Sequence, residues 1–117
     1  MGLFGIQEDH KEASLSLDEK LVPNKTSTFF FVASSKAMEP IIFPGDILIV
    51  DRSLEALSGM ILLVEQDAEF LCRRLVYEKN KMILRSENGI SKDIQVSERV
   101  TIFGVVRAIA RDDLHLV

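Results

Sequence analysis

After about residue 28 the chain is a succession of short apolar runs, each closed by a turn signal, and this punctuation admits few folds. The runs cover 29–33, 46–51, 60–65, 69–77, 81–85, 94–96 and 100–110, the last interrupted by Gly104. Between them stand Pro44-Gly45-Asp46, Leu57-Ser58-Gly59, Gln66-Asp67-Ala68, Glu78-Lys79-Asn80 and Glu87-Asn88-Gly89, rich in residues that favour tight turns. Runs this short suit strands better than helices. Val, Ile and Phe are enriched in them because branched and aromatic side chains pack well on a pleated surface. The expected fold is mainly β, a domain of curled antiparallel sheets over 28–117. The polar segment 1–27 is expected to form an extended, flexible arm with Leu15, Leu17 and Leu21 as its apolar anchors.

A chain of 117 residues suffices for one domain with its own core. At 47% hydrophobic and 27% charged residues it has the composition of an ordinary globular protein. The net charge of −4 argues against direct nucleic-acid binding, since proteins that grip phosphates carry a basic excess. No window approaches the roughly 18 apolar residues of a membrane span, and no basic segment precedes an apolar core at the amino terminus. No membrane partner is therefore expected, and the location implied is cytoplasmic. Met1-Gly2 begins like a myristoylation signal but has Ile6 where Ser or Thr is required. Cys72, the one cysteine, has no partner for an internal disulfide and sits mid-strand, as a small core residue does. His10 has only Glu8, Asp9 and Glu12 near it in sequence, so neither a metal nor another cofactor is expected.

Two places invite chemistry. Between the first two runs lies a small polar corner, Ser34, Ser35, Lys36, Ala37 and Met38, of the kind that presents a nucleophile; its apex, Ala37, has none to offer. In the fourth run, period-two alternation places Phe70, Cys72, Arg74 and Val76 on one face and Leu71, Arg73, Leu75 and Tyr77 on the other. Both faces therefore carry an arginine. One can lie along an edge with its head in water. The other is expected to be part-buried and paired with a carboxylate, for which Glu39, Asp46 and Asp51 are the candidates.

These residues resemble the carboxy-terminal domain of the LexA/UmuD family of self-cleaving serine peptidases. The resemblance is carried, in order, by Phe30-Phe31-Val32, Ala37-Met38-Glu39-Pro40, Gly45-Asp46-Ile47-Leu48-Ile49-Val50-Asp51, Gly59-Met60-Ile61-Leu62-Leu63-Val64, Glu69-Phe70-Leu71-Cys72-Arg73-Arg74-Leu75 and Phe103-Gly104-Val105-Val106. It extends over about 28–110. The segments 15–22 and 24–30 are similar to the arm of the UmuD branch, and Gly2-Leu3 stands about where UmuD-like proteins are cleaved before a glycine. The resemblance thus implies a molecule like processed UmuD.

In that family a buried, neutral lysine takes the proton of a serine hydroxyl, which attacks a peptide carbonyl. The serine's position is Ala37 in this sequence and the lysine's is Arg73, a guanidinium that stays protonated and cannot act as a base. Ser35-Lys36 also replaces the family's Gly-Asp. The resemblance implies a pseudo-peptidase of the SOS, or DNA-damage, response. It would act as a homodimer that binds a translesion polymerase subunit or a family homologue. One alternative is an active peptidase with a relocated nucleophile, Ser34 or Ser35, and Lys36 as base. Strand neighbours point to opposite faces, so that pair needs an irregular corner; otherwise both serines hydrogen-bond backbone at the bend. Another is a phage or mobile-element antagonist that forms mixed dimers with a host family member. Segment 100–110, taken as an apolar edge strand, and the arm over 15–21 are the expected dimer surfaces.

Overall fold

The computed structural model describes residues 27–112, so the expected arm, apart from Ser27, lies outside the described residues. The strands are β1 (Thr28–Val32), β2 (Ile47–Asp51), β3 (Ile61–Gln66), β4 (Glu69–Glu78), β5 (Lys81–Arg85), β6 (Ile94–Gln95) and β7 (Val100–Ala110). Each apolar run of the sequence is a strand, with ends that differ by a residue at most. All seven join one sheet in the order β1-β2-β7-β3-β4-β5-β6, every neighbouring pair antiparallel.

Two hairpins follow from local chemistry. Gln66 pairs with Glu69 and Glu78 with Lys81, which leaves two-residue loops at Asp67-Ala68 and Lys79-Asn80. All four loop residues have positive φ, between 52° and 66°. Such loops match the right-handed twist of their flanking strands, and Asp67 and Asn80 tolerate the left-handed conformation well.

β7 differs from expectation. It is not the unpaired edge expected from sequence but lies inside the sheet, its first half against β3 and its second half against β2, the two registers meeting at Val105. Its eleven residues span two partners of five and six. The β3 register skips Phe103 and the β2 register skips Arg107, so β7 carries an extra residue in each half, a feature that bends a strand and increases its twist. Gly104 sits at the crossing. A Cβ there would stand 2.8 Å from Val50 Cγ1 and 3.2 Å from the Asp51 carbonyl oxygen. Gly104→Ala is therefore expected to lower stability by about 1–3 kcal/mol through overpacking, as measured by urea denaturation.

Alternation along the strands builds a core on each face of the sheet. One gathers Leu62, Val64, Leu75, Leu84, Val100 and Val105. The other gathers Met38, Ile42, Leu48, Val50 and Leu63, so the corner between β1 and β2 supplies two of its five buried residues.

Candidate functional site: the corner and its cavity

The chain leaves the sheet after Ala33, whose N–H donates to the Asp46 carbonyl (2.8 Å) while its own carbonyl accepts from Gly45 N–H (2.7 Å). The residues between fold into tight turns: Glu39 N–H donates to the Lys36 carbonyl (3.1 Å), and the N–H groups of Ile41 and Ile42 both donate to Met38 (2.9 Å each). Ser35 Oγ accepts from Ala37 N–H at 3.0 Å, the bend-stabilising role open to a serine at such a place. The corner is also tied to the loop after β5. The Ala37 carbonyl accepts from Glu87 N–H (3.0 Å) and Asn88 N–H (3.1 Å), and Asn88 Nδ2 donates to the Lys36 carbonyl (2.9 Å). Buried backbone groups need such partners, and these fix Ala37 in place. Ala37 and Met38 are buried; Ser34, Ser35 and Lys36 are exposed.

The far end of the corner is held by charge. Asp46, only 2% exposed, accepts from Arg111 Nε (2.7 Å) and Nη2 (2.6 Å) and from Phe43 N–H (2.8 Å). The Arg111 guanidinium also lies over the Phe43 ring, 4.7 Å from its centroid. The Arg111 hydrogen bonds, with help from Phe43 N–H and despite burial, hold the Asp46 carboxyl below its usual value. At Asp51, burial pushes the carboxyl up, but hydrogen bonds from Ser53 Oγ (2.6 Å), Ser53 N–H (2.8 Å) and Ser27 Oγ (3.2 Å) prevail and hold it low.

A cavity of about 90 Å³ opens beside the corner. Ser34, Ser35, Ala37 and Met38 line it from one side, and Phe70, Cys72 and Arg73 of β4 line it from another. The two positions singled out by the family resemblance, Ala37 and Arg73, thus border one space although 36 residues separate them. Arg73 is 7% exposed. Its Nη1 donates to the Cys72 carbonyl at 2.8 Å, its Nε is buried without a hydrogen-bond partner, and among the described residues no carboxylate forms an ion pair with it. Burial pulls the guanidinium below its ordinary value.

The expected carboxylate for the part-buried arginine is therefore not found at Glu39, Asp46 or Asp51. Asp46 is taken by Arg111 and Asp51 by Ser27 and Ser53. The arginine that does hold a carboxylate is the less buried Arg74, which pairs with Glu87 and donates from Nη1 to the Gly59 carbonyl (2.6 Å). The sequence marks Glu87 and Asn88 only as part of a turn, and the tie that they and Arg111 make to the corner is not visible there because each acts from another strand end or loop. The one signal for Arg111 was a cation directly after the last apolar run.

Four residues with side chains of possible reactivity line the cavity: Ser34, Ser35, Cys72 and Arg73. Burial pushes the thiol up to about 12, so at neutral pH it is protonated and a poor nucleophile. A guanidinium does not accept a proton. The cavity therefore offers a serine hydroxyl no general base. Among the described residues no cluster of His, Cys, Asp and Glu could hold a metal ion, and no helix is long and apolar enough to cross a membrane.

Comparison with known proteins gives a consistent set of similarities. The family described as Peptidase S24-like matches residues 1–107. Protein ImpA of Escherichia coli is 30% identical over 99 residues, which cover 84% of this chain and 68% of ImpA. Protein MucA of Salmonella typhimurium is 32% identical over 106 residues, covering 85% of this chain and 70% of MucA. The LexA repressor of Vibrio campbellii is 25% identical over 111 residues, covering 92% of this chain and 53% of the repressor.

Proposed function

The chain belongs to the peptidase S24-like family, and from that premise we propose that it is a non-catalytic, UmuD-like accessory protein of the SOS response. It works in the cytoplasm as a dimer, and its partner is a translesion polymerase subunit or a family homologue. The observation that carries this reading is the content of the cavity. Ala37 supplies a methyl group where the family resemblance calls for a nucleophile, and Arg73 supplies a fixed positive charge where it calls for a proton acceptor. A sheet with two packed faces and a firmly anchored corner persists around a site without that chemistry, as suits a fold kept for binding. Relocation of the nucleophile to Ser35 fares worse: its hydroxyl is engaged by Ala37 N–H and Lys36 is exposed, whereas a lysine acts as a base where burial disfavours its charge.

Three measurements test the proposal. Purified protein incubated at mildly alkaline pH is expected to keep its mass and to leave an added family homologue intact; cleavage of either overturns the non-catalytic reading. The double variant Ala37→Ser with Arg73→Lys is expected to cleave weakly or not at all, because Ser35-Lys36 still shapes the corner, and rapid cleavage would mean a scaffold still poised for catalysis. Pull-down from DNA-damaged bacterial cells is expected to recover a polymerase subunit or a family homologue. Recovery of a host family member alone favours an antagonist that forms mixed dimers.

A further inference from the structure

Arg73 is more than an obstacle to catalysis. A buried cation without a counter-ion is costly, and proteins pair such groups or hydrogen-bond them fully. Here the guanidinium has one side-chain hydrogen bond, to a neutral carbonyl, an Nε–H with no partner, and a cavity beside it. Asp46 and Asp51 do not relieve it, since each is held by several hydrogen bonds from other residues. The rest of the cavity wall is largely apolar, with Phe31, Met38, Leu63 and Phe70 among its residues and the hydroxyls of Ser34 and Ser35 as its polar part. Such a space suits an anion of single charge, since a dianion would bring a second charge that apolar walls leave uncompensated. A carboxylate is planar, carries one charge and accepts two guanidinium N–H groups at once.

We propose that this cavity is a carboxylate-binding site in which Arg73 holds the anion, the carboxylate coming from a peptide side chain, a peptide carboxy terminus or a small free acid. The inference builds on the reading of the cavity as one without a peptidase dyad, and it is tested apart from it because binding and cleavage are measured separately.

The test uses the full chain labelled with nitrogen-15 and follows amide signals during titration with sodium acetate, against sodium chloride at equal ionic strength. Acetate is expected to produce saturable shifts centred on Ala37, Cys72 and Arg73, with chloride producing none that saturate. Three short peptides then identify the source: one with a free carboxy terminus, the same peptide amidated, and an amidated peptide with an internal glutamate. Binding by the first alone indicates chain ends, binding by the first and third indicates any peptide carboxylate, and binding by acetate alone indicates small acids. Arg73→Met is expected to weaken acetate binding about tenfold or more, the size of effect lost with a charge-assisted hydrogen bond. The exposed Arg99→Gln is expected to leave binding unchanged. Should Arg73→Met fail to fold, Ala37→Val decides, because it adds bulk at another lining residue and keeps the arginine. Unsaturable shifts equal to those of chloride overturn the proposal, as does undiminished acetate binding by a folded Arg73→Met or Ala37→Val protein. Cleavage activity without acetate binding, or binding without cleavage, separates the failure of this inference from failure of the non-catalytic reading.

Discussion

Asp46→Ala is expected to destabilise the protein by about 2–4 kcal/mol, the range for breaking a buried charge pair with its hydrogen bonds. The carboxylate is almost wholly buried and satisfies three donors: both ends of the Arg111 fork and the Phe43 N–H. Its loss leaves the Phe43 N–H without that acceptor and removes two charge-assisted hydrogen bonds from Arg111. The effect stays below the upper limit for a fully buried pair because Arg111 is itself about one-third exposed and can turn to water. The contact also joins residues 65 positions apart, the end of β7 and the turn that starts β2. A pH signature accompanies it. The folded carboxyl titrates below its unfolded value, so its contribution is fully present above the unfolded value near 3.9 and is lost as pH falls through the folded one. Denaturation measured between pH 7 and pH 3 should therefore show the gap between wild type and Asp46→Asn narrowing at the acid end. A gap that widens with acid would contradict this assignment.

Arg73→Met is expected to act in the opposite direction and raise stability by about 1–4 kcal/mol, since a buried charge is replaced by an apolar side chain of similar length. The position borders Leu62 across the β3–β4 ladder and lies between Leu71 and Leu75 on its own strand, surroundings that accept a methionine. A protein that sacrifices stability at one residue commonly does so where it functions. If the cavity binds carboxylates, acetate raises the melting temperature of the wild type by mass action and leaves that of the methionine variant unmoved. Destabilisation by Arg73→Met would instead mean that the guanidinium is a structural tie in its present place.

Much of the fold was legible because it is locally encoded. Strand positions follow from alternation and turn residues within a few positions of each other, and Asp67-Ala68 and Lys79-Asn80 close their hairpins through positive φ at the loop residues themselves. The sheet order was not legible. Val100–Ala110 has the length and apolarity of an exposed edge, and only the positions of β2 and β3 turn it into the strand that links the two. The acidic residues were misassigned for a similar reason. The candidates for the part-buried arginine, Glu39, Asp46 and Asp51, rest on sequence alone, whereas Asp46 is matched by a residue 65 positions away.

The sequence by itself determined which chemistry the corner lacks: Ala37 carries no nucleophile and Arg73 no usable base, whatever surrounds them. Tertiary structure decided that these two residues line one cavity, that Asp46 and Asp51 are committed to Arg111, Ser27 and Ser53, and that Arg73 is left buried with a single neutral acceptor among the described residues. The division has a physical basis. A side chain's functional groups are fixed by its identity, but which donor wins an acceptor depends on geometry and burial, and those exist only once distant strands have packed.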